Sequence, residues 1–326
     1  MRITNSMMSR NYLRGLNNNL STLNTLRSRS ETGRKFTRAY QDPVAASRAL
    51  SIRDSINKME VWKENASIAT DVLHSAETAA MGIKEIVDDA YVELLKANND
   101  PNGIDERRVL SQSIESKMQE ILGLANTQFA DRYVMAGSNN STKPFTLDAS
   151  GYLVYNGKAV ADGGPFPNDS DVFVDVGLGL SLYTPAGEPY PTQVDPLSAM
   201  QISVSGVDVL GEGSDNIFNI LKDAADLLKT EPFDHSALET TLSKLDNSRK
   251  SLLIQVTELG DRQKFAEYNN ERLDSDLASL VEASQETEYV DLPTAIMDFK
   301  MQEFVYNASL KMGGKVLQYS LFDFLA

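Results

Sequence analysis

The chain has 326 residues, a net charge of −15 and no cysteine. Lack of cysteine excludes a disulfide framework, a thiolate metal site and a cysteine nucleophile, and the acidic balance argues against nonspecific nucleic-acid binding. The length predicts two or three domains; no apolar run approaches the roughly eighteen residues of a membrane span, and the start lacks the apolar core of a secretory signal.

Residues 1–38 carry seven arginines and Lys35 against one acid, Glu31, so this arm is basic within an acidic protein. Leu13, Leu16, Leu20 and Leu23 are spaced for one side of a helix. Asn17, Asn18 and Asn19 are poor helix formers, so the arm is expected to be disordered in the free chain and to order on assembly. Two other readings of an Arg-rich, Ser-rich arm are a nucleic-acid tail, which the scarcity of aromatics disfavours, and a transit peptide of an imported coiled-coil protein.

From about 44 to 98 the pattern predicts one long helix. Steps of seven from Ile52 reach Met59, Ala66, Leu73, Ala80, Val87 and Leu94. A companion line runs through Ser55, Trp62, Ala69, Ala76, Ile83, Ala90 and Ala97. That is a sustained heptad, and its alanines permit close helix approach. Asn98 to Gly103 reads as a turn, and a second helix is expected over about 104–136, forming an antiparallel hairpin with the first.

The composition then shifts. Residues 137–213 hold 11 of the 19 glycines and 7 of the 11 prolines. Short alternating stretches at Tyr152–Tyr155, Val172–Val176, Leu180–Tyr183 and Gln201–Ser205 predict strands, with Asp148-Ala149-Ser150-Gly151 as a hairpin turn. Ser214-Asp215 reads as a cap for a helix that ends at Glu231-Pro232. A further long helix is expected from about 236 to 287, with Leu238, Leu245, Leu252, Leu259, Ala266, Leu273 and Leu280 on one seam and Arg249, Gln263 and Asn270 interrupting its companion. The last segment, 289–325, has a broad apolar stripe: Leu292, Ile296, Phe299, Tyr306, Leu310, Leu317, Leu321, Phe322, Phe324 and Leu325. Apolar ends of this kind invite association. The fold class is therefore mainly α with a β-rich insertion, its long antiparallel coiled-coil helices drawn from both halves of the chain. The expected domains are 1–40 with 288–326, 41–137 with 214–287, and the insert 138–213.

No catalytic set emerges. His74 lies beside the first seam and His235 in a turn leading into a helix; two isolated histidines without cysteine make a poor zinc site. No Gly-x-Ser-x-Gly elbow occurs. Gly177-Leu178-Gly179 and Gly313-Gly314-Lys315 lack the remaining residues of nucleotide loops. Asn168, Asp169, Asp171 and Asp175 do not follow calcium-loop spacing. No enzyme activity, cofactor or metal is expected.

Several segments together resemble the flagellin superfamily of bacterial axial proteins, and within it the hook–filament junction proteins. They are Met1-Arg2-Ile3-Thr4, then Glu31-Thr32-Gly33-Arg34-Lys35 followed by Gln41-Asp42-Pro43-Val44-Ala45-Ala46-Ser47. Asp131 to Ser138, Lys143-Pro144-Phe145 and the end from Lys315 to Leu325 complete the set. The resemblance implies a linker motif at Gly33, Asp42 and Pro43. It implies an assembly interface at Leu13, Leu16, Leu20, Leu23, Ile296, Phe299, Leu310, Leu317, Leu321, Phe322, Phe324 and Leu325. Implied partners are neighbouring copies, a hook-side junction protein, flagellin, and a cytoplasmic export chaperone at the C-terminal helix, with no nucleic acid and no membrane insertion. The implied role is structural, after unfolded export through the flagellar type III channel, with a minor flagellin as the alternative. One departure is that Glu93-Leu94 lacks preceding arginines, which disfavours innate-receptor recognition.

Overall fold

The computed structural model describes residues 5–99, 103–186 and 188–325; for 5, 6 and 315–325 it describes the backbone alone. It divides into two compact units, Met1–Glu60 with Ser275–Ala326, and Val61–Asp274.

The first unit holds helix α1 (Asn5–Thr32), the first turns of α2 (Pro43–Asn99), the last turns of a second long helix and a terminal helix of 34 residues. Within the described residues the arm expected to be disordered is helical. The run of asparagines is offset by side-chain bonds: Asn19 Nδ2 donates to Ser309 Oγ at 3.2 Å, and Gln302 donates to the Asn19 carbonyl at 3.4 Å. Asp42 caps α2, its Oδ1 accepting from the Ala45 amide at 2.9 Å. Pro43 takes the first helical position, where a missing N–H costs nothing.

The second unit holds most of α2, then α3 (Ile104–Ala125). This helix is shorter than the periodicity predicts. Asn126 bonds through its side chain to the Leu122 and Phe145 carbonyls and accepts from the Phe145 amide, which ends the helix. Ala130 and Asp131 then turn left-handed, at φ 47° and 61°, between β1 (Gln128–Phe129) and β2 (Arg132–Tyr133).

The insert follows: β3 (Phe145–Leu147), β4 (Leu153–Tyr155) and β5 (Lys158–Ala159) form an antiparallel three-stranded sheet. Its β3–β4 turn is the expected one, with Asp148 Oδ1 accepting from the Ser150 and Tyr152 amides. β6 (Phe173–Val174) pairs with β9 (Met200–Gln201), and β7 (Leu182–Tyr183) with β8 (Gln193–Val194). Phe145 and Tyr155, 4.9 Å between centroids, form the insert's small core with Leu153, Val160 and Leu210.

α4 (Gly206–Leu210) leads to α5 (Ile217–Lys229), α6 (His235–Glu288) and α7 (Leu292–Leu325). The cap of α5 is Asn216 rather than Ser214 or Asp215. Its side chain is buried and accepts from the Asn219 amide, a satisfied bond that an exposed serine would not match. Asp234 caps α6 through the Ser236 and Ala237 amides.

In this unit α3 and α6 each run antiparallel to α2 in fixed register. The pairs Glu93–Ser113 and Gly82–Leu124 on α2 and α3, and Lys63–Asp274, His74–Gln263 and Asp88–Arg249 on α2 and α6, step up one helix as they step down the other. The heptad seam is the core: Ala66, Ala69, Leu73, Ala76, Ala80, Ile83, Val87, Ala90 and Leu94 are fully buried, as are Leu238, Leu245, Ala266 and Leu273 of α6. Each large side chain so enclosed contributes about 1.5–3 kcal/mol.

Candidate assembly interface

In the first unit α1 packs on α7. Tyr12, Leu16, Asn19, Leu23 and Leu26 form the half-buried face of α1, and Tyr12 Oη donates to the Ser309 carbonyl at 3.0 Å. The leucine stripe therefore splits: Leu16 and Leu23 are half-buried, whereas Leu13 and Leu20 are exposed. On α7, Ala295 is buried and Phe299 and Tyr306 are half-buried. Ile296, Met297, Met301, Phe304, Leu310 and Met312 remain exposed, Phe304 by 72%. Sequence periodicity marks Ile296 and Leu310 but misses the methionines and Phe304, which occupy the side of a helix apolar on more than one face. The side chains of Leu317, Leu321, Phe322, Phe324 and Leu325 lie outside the described residues.

The linker motif forms a clasp between the terminal helices and α2. Gly33, at φ +68°, closes α1 in the left-handed cap conformation, its amide bonding the Arg29 carbonyl. The chain then pairs with residues 288–290: Lys35 N–H donates to the Glu288 carbonyl at 2.7 Å and Val290 N–H to the Gly33 carbonyl at 2.9 Å, around an Arg34–Tyr289 bridge. Glu288 is buried, and Arg53 meets both of its oxygens in a bidentate pair, Nε to Oε1 at 2.7 Å. A buried carboxylate needs such a partner, and spacing alone gives no sign of this one.

In the second unit the insert is fastened to the long helices by Trp62, the one tryptophan of the chain. Its Nε1 donates to Asp175 Oδ2 at 2.9 Å, Asn65 Nδ2 to the Asp175 carbonyl at 2.9 Å, and Asn269 Nδ2 to the Val176 carbonyl at 3.2 Å. Gly177, at φ +77°, lies against the indole, where an added Cβ would sit 2.8 Å from Cε3. A tryptophan thus replaces a small seam residue where the insert meets α2.

The acids considered for calcium are engaged with the protein. Asp169 accepts from Tyr155 Oη at 2.9 Å and Ser205 Oγ at 3.0 Å, Asp171 from Gln201, and Asp175 from Trp62. Burial, with the Asp169 charge, pushes the Tyr155 phenol up, so it remains a donor. His74 is exposed and shares a hydrogen bond with Gln263, while His235 packs edge-on to Phe233. Arg249, an interruption of the α6 seam, pairs with Asp88 at 2.5 Å and lies 4.2 Å over the Tyr91 ring. Burial raises the Asp88 carboxyl, but hydrogen bonds from Lys84 and Arg249, with their charges, outweigh it and hold the group below its ordinary value. Among the described residues, no three His, Asp or Glu converge on a metal-sized site and no helix is long and apolar enough to cross a membrane.

Residues 3–140 match the family of the bacterial flagellin N-terminal helical region. Along 99% of both chains, the protein is 25% identical to flagellar hook-associated protein 3 of Escherichia coli (strain K12). The chain is thus similar to a structural flagellar protein along its whole length and to the flagellin N-terminal helical region over residues 3–140. The match begins inside the basic arm, so the segment that composition alone left open as a transit peptide is part of the family's helical region. Solved structures of flagellar proteins share the fold. A flagellar hook-associated protein from Vibrio parahaemolyticus is 16% identical with TM-score 0.60, over 76% of this chain and 100% of its own. The flagellar junction protein FlgL from Legionella pneumophila is 15% identical with TM-score 0.53, over 74% of this chain and 100% of its own.

Proposed function

We propose that this chain is the junction subunit that adapts the hook to the flagellin filament, and that it is an assembly part rather than an enzyme. The observation that carries the reading is the end-to-end likeness to hook-associated protein 3. The apolar face that α7 leaves uncovered agrees with it, because contiguous exposed apolar surface marks sites of association. Its partners would be neighbouring copies, a hook-side junction protein and flagellin. Export would proceed unfolded through the flagellar type III channel, with a cytoplasmic chaperone covering the C-terminal helix beforehand. The terminal segments 1–40 and 288–326 would form the inner layer of the assembly, 41–137 with 214–287 the layer around it, and the insert 138–213 would face outward.

Deletion of the gene tests the proposal. A junction role predicts intact hooks without filaments and unassembled flagellin in the medium. Loss of filament protein itself, with none secreted, would instead make the chain a flagellin.

A further inference from the structure

Two exposed surfaces, one in each unit, are opposite in charge and alike in their apolar content. The first is a groove of about 180 Å³ where the linker 34–39 lies over the first turns of α2. Its floor is apolar, from Phe36, Ala46, Ala49 and Leu50, and Arg34, Arg38 and Arg53 line it; its single carboxylate, Glu288, is already taken by Arg53. The second is a stripe on α2, Val61, Glu64, Ile68 and Asp71, spaced three to four residues apart so that all four share one exposed side. No base is interleaved in it, and neither Glu64 nor Asp71 belongs to an ion pair among the described residues.

We infer that the basic groove of one copy receives the acidic α2 stripe of a second copy. The match is twofold. Val61 and Ile68 would cover the apolar floor, and Glu64 and Asp71 would meet the arginines at its rim, with charge setting orientation and register. Eight of the chain's basic residues, against one acid, fall in residues 1–38, so basic surface is concentrated at this end of an otherwise acidic molecule. Such a contact also has the right symmetry. Groove and stripe are different patches, so after pairing one copy keeps its stripe free and the other its groove, and a head-to-tail contact of this type builds a ring or a helical array rather than a closed pair. The inference rests on the reading of the chain as an assembling subunit and specifies one lateral contact within it.

Absence of native cysteine makes the test direct. Leu50→Cys and Ile68→Cys, both at exposed positions, are made in separate copies, mixed and oxidised. The expected result is a mixed disulfide-linked species in excess of either like-with-like product. Charge reversal supplies the second arm. Arg38→Glu alone and Glu64→Lys alone should each weaken the cross-link about tenfold at low salt, and mixing Arg38→Glu/Leu50→Cys with Glu64→Lys/Ile68→Cys should restore it. Cross-linking indifferent to both reversals, or no recovery in the mixture, overturns the groove contact while leaving the assembly role standing. Failure of the unmodified chain to associate in any form, together with normal filaments in the deletion strain, overturns the assembly role itself.

Discussion

Phe304→Asp separates folding from assembly. Phe304 is 72% exposed on α7 and turned away from the half-buried face of that helix. An enclosed aromatic side chain buries 150–250 Å², so about 110–180 Å² of this one remains to be covered. At about 25 cal/mol per Å², covering it contributes about 3–4 kcal/mol to a subunit contact, and placing a carboxylate there adds a desolvation cost. The variant should therefore associate roughly 10²–10³-fold more weakly. Its own fold should change by less than about 0.5 kcal/mol, as expected of an exposed site. The assay compares the urea midpoint of the isolated chain with its incorporation into hook-bearing cells expressing only the variant. An unchanged midpoint with failed incorporation is the expected pair of results. Normal incorporation would show that this face of α7 stays wet in the assembly and would refute the argument from its exposure.

The long-helix core predicts that Leu73→Ala, at a fully buried seam position, costs about 2–5 kcal/mol by equilibrium unfolding. A cost under 1 kcal/mol would mean that the seam is loosely packed. Gly177→Ala meets both a left-handed backbone and the indole of Trp62; it should cost about 1–3 kcal/mol and shift the emission of the single tryptophan, whereas an unshifted spectrum would contradict the docking of the insert on Trp62. Asp88 is held below its ordinary value of 3.8, so in the unfolded chain it binds its proton at higher pH than in the fold. Its contribution is complete above about pH 4 and is lost as pH falls through the lowered folded value. Asp88→Asn should flatten that part of the acid limb in urea titrations, and an acid limb identical to the parent's would contradict the assigned pairing with Lys84 and Arg249.

The helical frame was legible in the sequence because heptad spacing is a long-range, redundant signal: the seam from Ala66 to Leu94 and its partner from Leu238 to Leu273 are buried as their periodicity requires. Boundaries were less legible where one side chain decides them. Asn126 ends α3 by bonding a strand nineteen residues away, and Asn216 caps α5 from a buried position, neither of which local composition reveals. The candidate interface was only partly legible. Four leucines at helical spacing look like one stripe, yet the close pairing of α1 with α7 through Tyr12 and Asn19 turns two of them inward and leaves two exposed. Ion pairs between distant segments, such as Arg53 with Glu288, leave no pattern in either segment alone.

The most direct measurement is the position of the protein on the intact organelle. Antibody raised to the insert, imaged by electron microscopy on isolated flagella, should mark a single narrow band where hook gives way to filament. Label spread along the filament, or none on the flagellum at all, would contradict the account.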